Sequence, residues 1–299
     1  MIQKNHTYKV FELEILSTNI ELPELQRSEK NVHDVEIIKS SRRLIKSQSN
    51  YKKIYKNLFI NENELVLNVS NIAVFKVESG NKIFWNNYQS SFSEDSIRAY
   101  LLGSAMGAIL IQRGNIVIHA NALTKDSKTI ICAGNGGDGK STLAYSLMRQ
   151  GWKLLSDDLV ALSDDFCVLP GIPRIKLWDD AISYYGIEKN YLKRVREDMK
   201  KYQLTGDCVK SAYKKSKVNA IYVLNNEENI IVKNEILSQK EKFLKVHNHI
   251  YRPLYVNGFN KEANYFKKLT KLTKDLPVYN LSLPRSISSM DNWLSENSL

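Results

Sequence analysis

Residues 8–16 (Tyr-Lys-Val-Phe-Glu-Leu-Glu-Ile-Leu) alternate apolar and polar side chains. A half-buried strand requires that period of two. Glu64-Leu-Val-Leu-Asn-Val, Ile72-Ala-Val-Phe-Lys-Val and Lys82-Ile-Phe-Trp repeat it. The pattern predicts an antiparallel-rich β region that forms a smaller N-terminal domain over residues 1–92. Within it, 41–57 reads as a basic helix or a loop. From Ser93 the pattern changes. Ser93 can cap a helix with Glu94 and Asp95 in its first turn, running to about Gln112. Short apolar strands follow at 115–119 and 129–133, then a glycine-rich loop and a helix over 140–150 that Gly151 ends.

Residues 153–162 (Lys-Leu-Leu-Ser-Asp-Asp-Leu-Val-Ala-Leu) read as a buried strand interrupted by two acids. The stretch 186–217 is polar and poorly periodic, an expected helix-and-loop insertion. Val218–Leu224 is a further strand, and 239–249 and 259–273 are helices. The alternation of strand, helix and strand defines an α/β domain over 93–299.

Composition narrows the class. The chain has 299 residues, 43% of them hydrophobic and 25% charged, as in ordinary folded proteins. No run of 18 apolar residues occurs, and the first residues show no secretory signal pattern. The three cysteines, Cys132, Cys167 and Cys208, are too few and too far apart for a disulfide framework or a zinc pattern, so a reducing cytoplasm is expected. Net charge is +11. Residues 39–57 hold seven bases and no acid, and 186–217 hold ten bases against four acids. Such runs either solvate a face or attract an anionic partner. Nucleic acid is not the expected partner, because interleaved aromatics and a recognition-helix motif are missing.

Gly134-Asn135-Gly136-Gly137-Asp138-Gly139-Lys140-Ser141-Thr142 fits G-x-x-x-x-G-K-[ST] in full, with a strand before it and a helix after it. Glycines let successive backbone N–H groups face a phosphate, and the helix N-terminus adds its dipole. Lys140 is placed for the terminal phosphates of a nucleoside triphosphate, and Ser141 for Mg²⁺. Asp157 and Asp158 follow Lys140 by 17 and 18 residues. At the end of a strand beside such a loop they can hold Mg²⁺ or accept the proton of an attacking hydroxyl, and they can equally form a solvated turn. Asp164-Asp165 reads as such a turn. His119, 21 residues before Lys140, is either structural or catalytic. His247 and His249 have no cysteine or carboxylate at ligand spacing, which speaks against a metal there.

Together His119, the loop 134–142 and Gly151-Trp-Lys-Leu-Leu-Ser-Asp157-Asp158 resemble the catalytic domain of HPr kinase/phosphorylase. The resemblance implies a P-loop fold related to phosphoenolpyruvate carboxykinase rather than to the usual P-loop NTPases. It implies that Lys140 binds the β and γ phosphates and that Ser141 binds Mg²⁺. It casts Asp158 as the base for an acceptor serine, Asp157 as its support or a metal ligand, and His119 as a neighbour of the transferring phosphate. The Glu-Ile-Arg-Gly-type motif of that family is missing. Leu169-Pro-Gly-Ile-Pro-Arg174-Ile-Lys-Leu-Trp178 stands instead, and with Val218–Leu224 and Leu276-Pro-Val-Tyr279 it is similar to the HPr kinase-related peptide kinases of lasso-peptide clusters. Arg174 is then a phosphate clamp or a structural arginine in a Pro-bounded turn. The resemblance implies a serine kinase acting on a peptide or protein, with the C-terminal serine of a lasso-peptide precursor as the special case, and allows a homo-oligomer. A small-molecule kinase and a nucleotide-sensing module are the other readings of the same loop.

Overall fold

The computed structural model describes residues 5–42, 44, 51–87, 93–195, 199–225, 234–284, 286–297 and 299. Contacts divide the chain into two compact units, 1–117 with 251–268 and 118–250 with 269–299.

The first unit is built on nine strands: β1 (Asn5–Val10), β2 (Leu13–Thr18), β3 (Gln26–Arg27), β4 (Val35–Lys39), β5 (Lys52–Tyr55), β6 (Leu58–Ile60), β7 (Glu64–Val69), β8 (Ala73–Glu78) and β9 (Lys82–Asn87). Their order is β3-β1-β2-β4-β9-β8-β7-β6-β5. Neighbours run antiparallel except at β2–β4 and β4–β9, which are parallel. Alternate side chains Tyr8 and Val10, Val35 and Ile37, Phe75 and Val77, and Ile83 and Trp85 are buried, as period two demands. Phe59, Val66 and Val74 form a second cluster with Leu44 and Tyr51 against it.

Three expectations change here. Residues 8–16 are two strands, not one. Phe11 and Glu12 both take positive φ (53° and 60°) and close a two-residue hairpin between Val10 and Leu13. That backbone is the one type I′ turns need, reached without the usual Asn-Gly signal. Residues 52–55 are strand rather than helix or loop, while positions 43 and 45–50 of the basic run lie outside the described residues. Contacts place residues 93–117 with the first unit, beyond the expected boundary at 92/93. Helices α1 (Glu94–Tyr100) and α2 (Met106–Gln112), joined through a π-helical turn at Leu101–Ala105, bury Leu101, Leu102 and Met106–Ile111, and α2 packs on β8. An apolar helix with no solvated face must go where a sheet can cover it. Ser93 precedes this helix, but its side chain makes no capping hydrogen bond.

After β10 (Ile116–Ile118), the second unit holds β11 (Ala120–Lys125), β12 (Lys128–Ala133), α3 (Lys140–Arg149), β13 (Lys153–Ser156), β14 (Val160–Leu162), β15 (Cys167–Val168), β16 (Ile175–Trp178) and α4 (Asp179–Tyr184). Then come β17 (Lys193–Arg194), β18 (Lys201–Leu204), β19 (Ser216–Lys217), β20 (Ala220–Asn225), β21 (Asn234–Ile236) and α5 (Gln239–His247). Helices α6 (Pro253–Gly258) and α7 (Glu262–Asp275), strand β22 (Val278–Ser282) and helix α8 (Ile287–Glu296) complete the chain.

The central sheet of this unit runs β13-β11-β12-β20-β22-β21, with β12, β20 and β22 parallel. Parallel neighbours buried on both faces explain the unbroken apolar run of β20. Leu143, Ala144, Leu147 and Met148 of α3 pack into one core with Leu123, Ile130, Cys132, Tyr222 and Leu281. Each large side chain there contributes about 1.5–3 kcal/mol relative to exposure. Residues 153–162 split into β13 and β14 at the acid pair, and the two strands belong to different sheets. The stretch 186–217 is not a helix-and-loop insertion. Its Lys201–Leu204 segment pairs with β16 and β17 in a three-stranded sheet, with Tyr202 and Leu204 buried by alternation. No helix among the described residues is long and apolar enough to cross a membrane.

Candidate active site

The glycine-rich loop leaves the C-terminal end of β12 and enters α3 at Lys140. Gly137 (φ 95°) and Gly139 (φ 86°) take left-handed backbone, which favours glycine at both positions. A Cβ added at Gly136, Gly137 or Gly139 would meet nothing within 4 Å, so space lies open over the loop. Gly134 is glycine for a different reason. Its Cβ would sit 3.2 Å from atoms of Asp138 and Leu224. The Asp138 carboxylate accepts from the Asn135 N–H at 2.5 Å and ties the loop across itself.

Lys140 is 7% exposed and donates to the carbonyls of Gly134 and Asn135, both at 2.8 Å. Burial pulls its pKa below the usual lysine value, while Asp158 and Asp138 pull the other way. The loop, His119, Asp158, Trp178, Asp180, Lys201, Asn225, Leu283, Pro284, Ile287 and Met290 line one cleft of about 660 Å³. All belong to the second unit.

His119 stands between β10 and β11, its N–H donating to the His249 carbonyl at 2.7 Å. Its Nδ1 lies 3.1 Å from the Asp158 carbonyl, an acceptor only, so Nδ1 carries the proton. Burial, then the Lys140 ammonium, lower its pKa below the usual imidazole value. Asp158 takes a left-handed backbone (φ 64°) in a turn that the Leu159 N–H closes onto the Asp157 carbonyl. This turn sends the two acids to different places. Asp158 lines the cleft, its Oδ2 paired with Lys176 Nζ at 2.6 Å. Burial alone would raise its pKa, but Lys176 holds it well below the usual carboxylate range. Asp157 is turned inward, 6% exposed, and neither of its oxygens has a hydrogen-bond partner among the described residues. Burial, then the Asp158 charge, push its pKa up to about 7. The neighbouring Asn121 side chain accepts from the Asp158 N–H at 3.5 Å, and its Nδ2 is likewise without a partner.

Sequence-expected residues Gly134–Thr142, His119 and Asp158 therefore come together, although Gly134 itself lies under the loop rather than on the cleft wall. Arg174 does not join them. It is 7% exposed, absent from the cleft wall, and reaches Gln203 Oε1 at 3.5 Å. Asp164-Asp165 stays apart, Asp165 accepting from Ser163. His247 stacks on Phe243, and no group of three metal-ligating side chains exists among the described residues.

Sequence reasoning missed Lys176, Trp178, Asp180 and Lys201. Alternation in Ile175–Trp178 and Lys201–Leu204 was the available signal: it places Lys176 opposite Gln203, and Trp178 opposite Lys201. For ATP phosphates the open, glycine-bounded space over the loop fits. For Mg²⁺ the donors are of the right kind, but only the Ser141 hydroxyl is on the cleft wall; the partnerless Asp157 carboxylate is buried away from it.

A scan against protein-family models gives no match, and a search of the curated proteins gives none either. Among solved structures the chain is similar to the HPr(Ser) kinase/phosphatase from Coxiella burnetii. The two are 14% identical, the match covers 60% of this chain and 99% of that one, and the TM-score is 0.28.

Proposed function

We propose that the chain is an ATP- and Mg²⁺-dependent kinase that transfers phosphate to the serine hydroxyl of a peptide or protein. The observation that carries this reading is the shared cleft: the glycine-rich loop, Lys140, His119 and Asp158 all open onto it. The backbone N–H groups of the loop and the start of α3 bind the phosphates. Lys140 leaves the Gly134 and Asn135 carbonyls for the phosphate oxygens, exchanging two neutral acceptors for charged ones. Ser141, together with Asp157 once its carboxylate turns to the cleft, would hold Mg²⁺, which would neutralise charge on the transferring phosphate.

Asp158 orients the acceptor hydroxyl. With Lys176 beside it the carboxylate is a weak base, and a loose phosphoryl-transfer transition state needs no stronger one. It takes the proton late, as the new O–P bond makes the hydroxyl acidic. His119 borders the same space. Arg174 supports Gln203 rather than the phosphate. The acceptor we favour is the C-terminal serine of a lasso-peptide precursor, in the cytoplasm, as the motif resemblance implies. The basic 39–57 and 186–217 segments are available for an acidic partner.

Incubation with γ-labelled ATP, Mg²⁺ and serine peptides, internal and terminal, plus free serine, tests this. Label on a peptide supports the reading. Label on free serine alone selects a small-molecule kinase. Bound nucleotide with no transfer selects a sensing module.

A further inference from the structure

Most charged side chains on the cleft wall are engaged by oxygen or nitrogen partners. Lys140 is held by two carbonyls, Asp138 by the Asn135 N–H, Asp158 by Lys176 and Asp180 by the Ala181 N–H. Lys201 is different. It lines the same wall and forms no ion pair among the described residues; its Nζ lies 5.5 Å from the centre of the Trp178 ring. The two are directly opposed on β16 and β18, so the sheet fixes their pairing. Trp178 is 44% exposed. A cation over an exposed indole is held by roughly 0.5–1 kcal/mol, little enough for an incoming anion to draw it away. Lys201 is close enough to Asp157, Asp158 and Lys140 to act on all three electrostatically.

We infer that Lys201 and Trp178 form an anion subsite for the acceptor, which carries a carboxylate near the hydroxyl that is phosphorylated. This rests on the kinase reading above. The nucleotide phosphates have the loop and Lys140, on elements distinct from β16 and β18. With those donors already serving the nucleotide, Lys201 is left for an anion of the other substrate. Two sources share this chemistry: the terminal carboxylate of a chain ending in serine, and the side chain of an aspartate next to an internal serine.

Three versions of one short peptide separate them: serine-terminated as the free acid, the same as its amide, and the amide with aspartate preceding the serine. For each we would measure kcat/KM, and calorimetric affinity in the presence of Mg²⁺ and a non-hydrolysable ATP analogue. The unmodified protein is expected to prefer one carboxylate-bearing peptide over the plain amide by about tenfold, or 1.4 kcal/mol. Lys201→Met is expected to bring that preference close to one, and Lys201→Arg to keep it. Preference for the free acid identifies the terminus; preference for the aspartyl amide identifies the side chain. The inference is overturned if the preference is absent in the unmodified protein. It is also overturned if the preference survives in Lys201→Met, or if Lys201→Met instead weakens nucleotide binding tenfold. Failure of the kinase reading shows differently, as no transfer to any peptide, and the calorimetric comparison still decides the subsite.

Discussion

Gly139→Ala separates what the loop does for the fold from what it does for a nucleotide. Gly139 has φ 86° and ψ 8° at the entry to α3, and an added Cβ would meet nothing within 4 Å. The cost in the free protein is therefore backbone strain without a clash, about 1–2 kcal/mol for alanine in left-handed backbone. At about 2–4 °C per kcal/mol for a unit of this size, Tm is expected to fall by ~2–8 °C. Mg·ATP at a hundred times its Kd stabilises the native state by about 2.7 kcal/mol, or ~5–10 °C. In the variant, relief of strain turns loop N–H groups away from their common focus, and the ATP-induced shift is expected to drop to less than half. Thermal unfolding with and without Mg·ATP reads both effects. A variant whose Tm falls as expected but whose ATP shift equals that of the unmodified protein would refute the loop as the phosphate cradle.

Other perturbations bear on the acids and on the first unit. The Asp157 carboxyl is raised in the folded state, so its stabilising effect is complete below the unfolded value near 4 and is lost as pH rises through about 7. Asp157→Asn is expected to flatten Tm between pH 5 and 8, and an unchanged pH profile would contradict the partnerless burial. Asp158, held low by Lys176, has the opposite sign. Its contribution is present above pH 4 and lost in acid, and Lys176→Met is expected to weaken that acid dependence in the same unfolding series. In the first unit, a Cβ at Gly258 would lie 2.6 Å from Ile60 Cγ2. Gly258→Ala is expected to cost about 1–3 kcal/mol by overpacking, and adding Ile60→Ala should recover part of that loss in denaturant unfolding.

The loop, α3 and the acid pair were legible in the sequence because each depends on local rules. Glycine permits positive φ at 137 and 139, and an apolar strand followed by Gly-Lys-Ser fixes where the helix begins. That adjacent acids point to opposite sides follows from strand geometry, but the positive φ at Asp158 that ends the strand there is not advertised by the sequence. The same cause hid the hairpin at Phe11-Glu12. Lys176, Trp178 and Lys201 were illegible for another reason. Their position on the cleft wall depends on β16 pairing with a strand 23 residues or more downstream, inside a stretch whose charge masked its alternation. Arg174 misled because its neighbours in sequence reach the cleft while its own side chain points to Gln203. The placement of α2 with the first unit likewise depends on what covers an apolar helix.

The central claim is phosphate transfer organised around Asp158 in the cleft of the glycine-rich loop. Mass spectrometry of a serine peptide incubated with Mg·ATP and either the unmodified protein or Asp158→Asn tests it most directly, with nucleotide affinity measured on both. The account predicts that the peptide gains the mass of one phosphate with the unmodified protein. With Asp158→Asn the gain should be slowed by roughly 10²–10⁴-fold while ATP still binds. Equal transfer by the two proteins would contradict it.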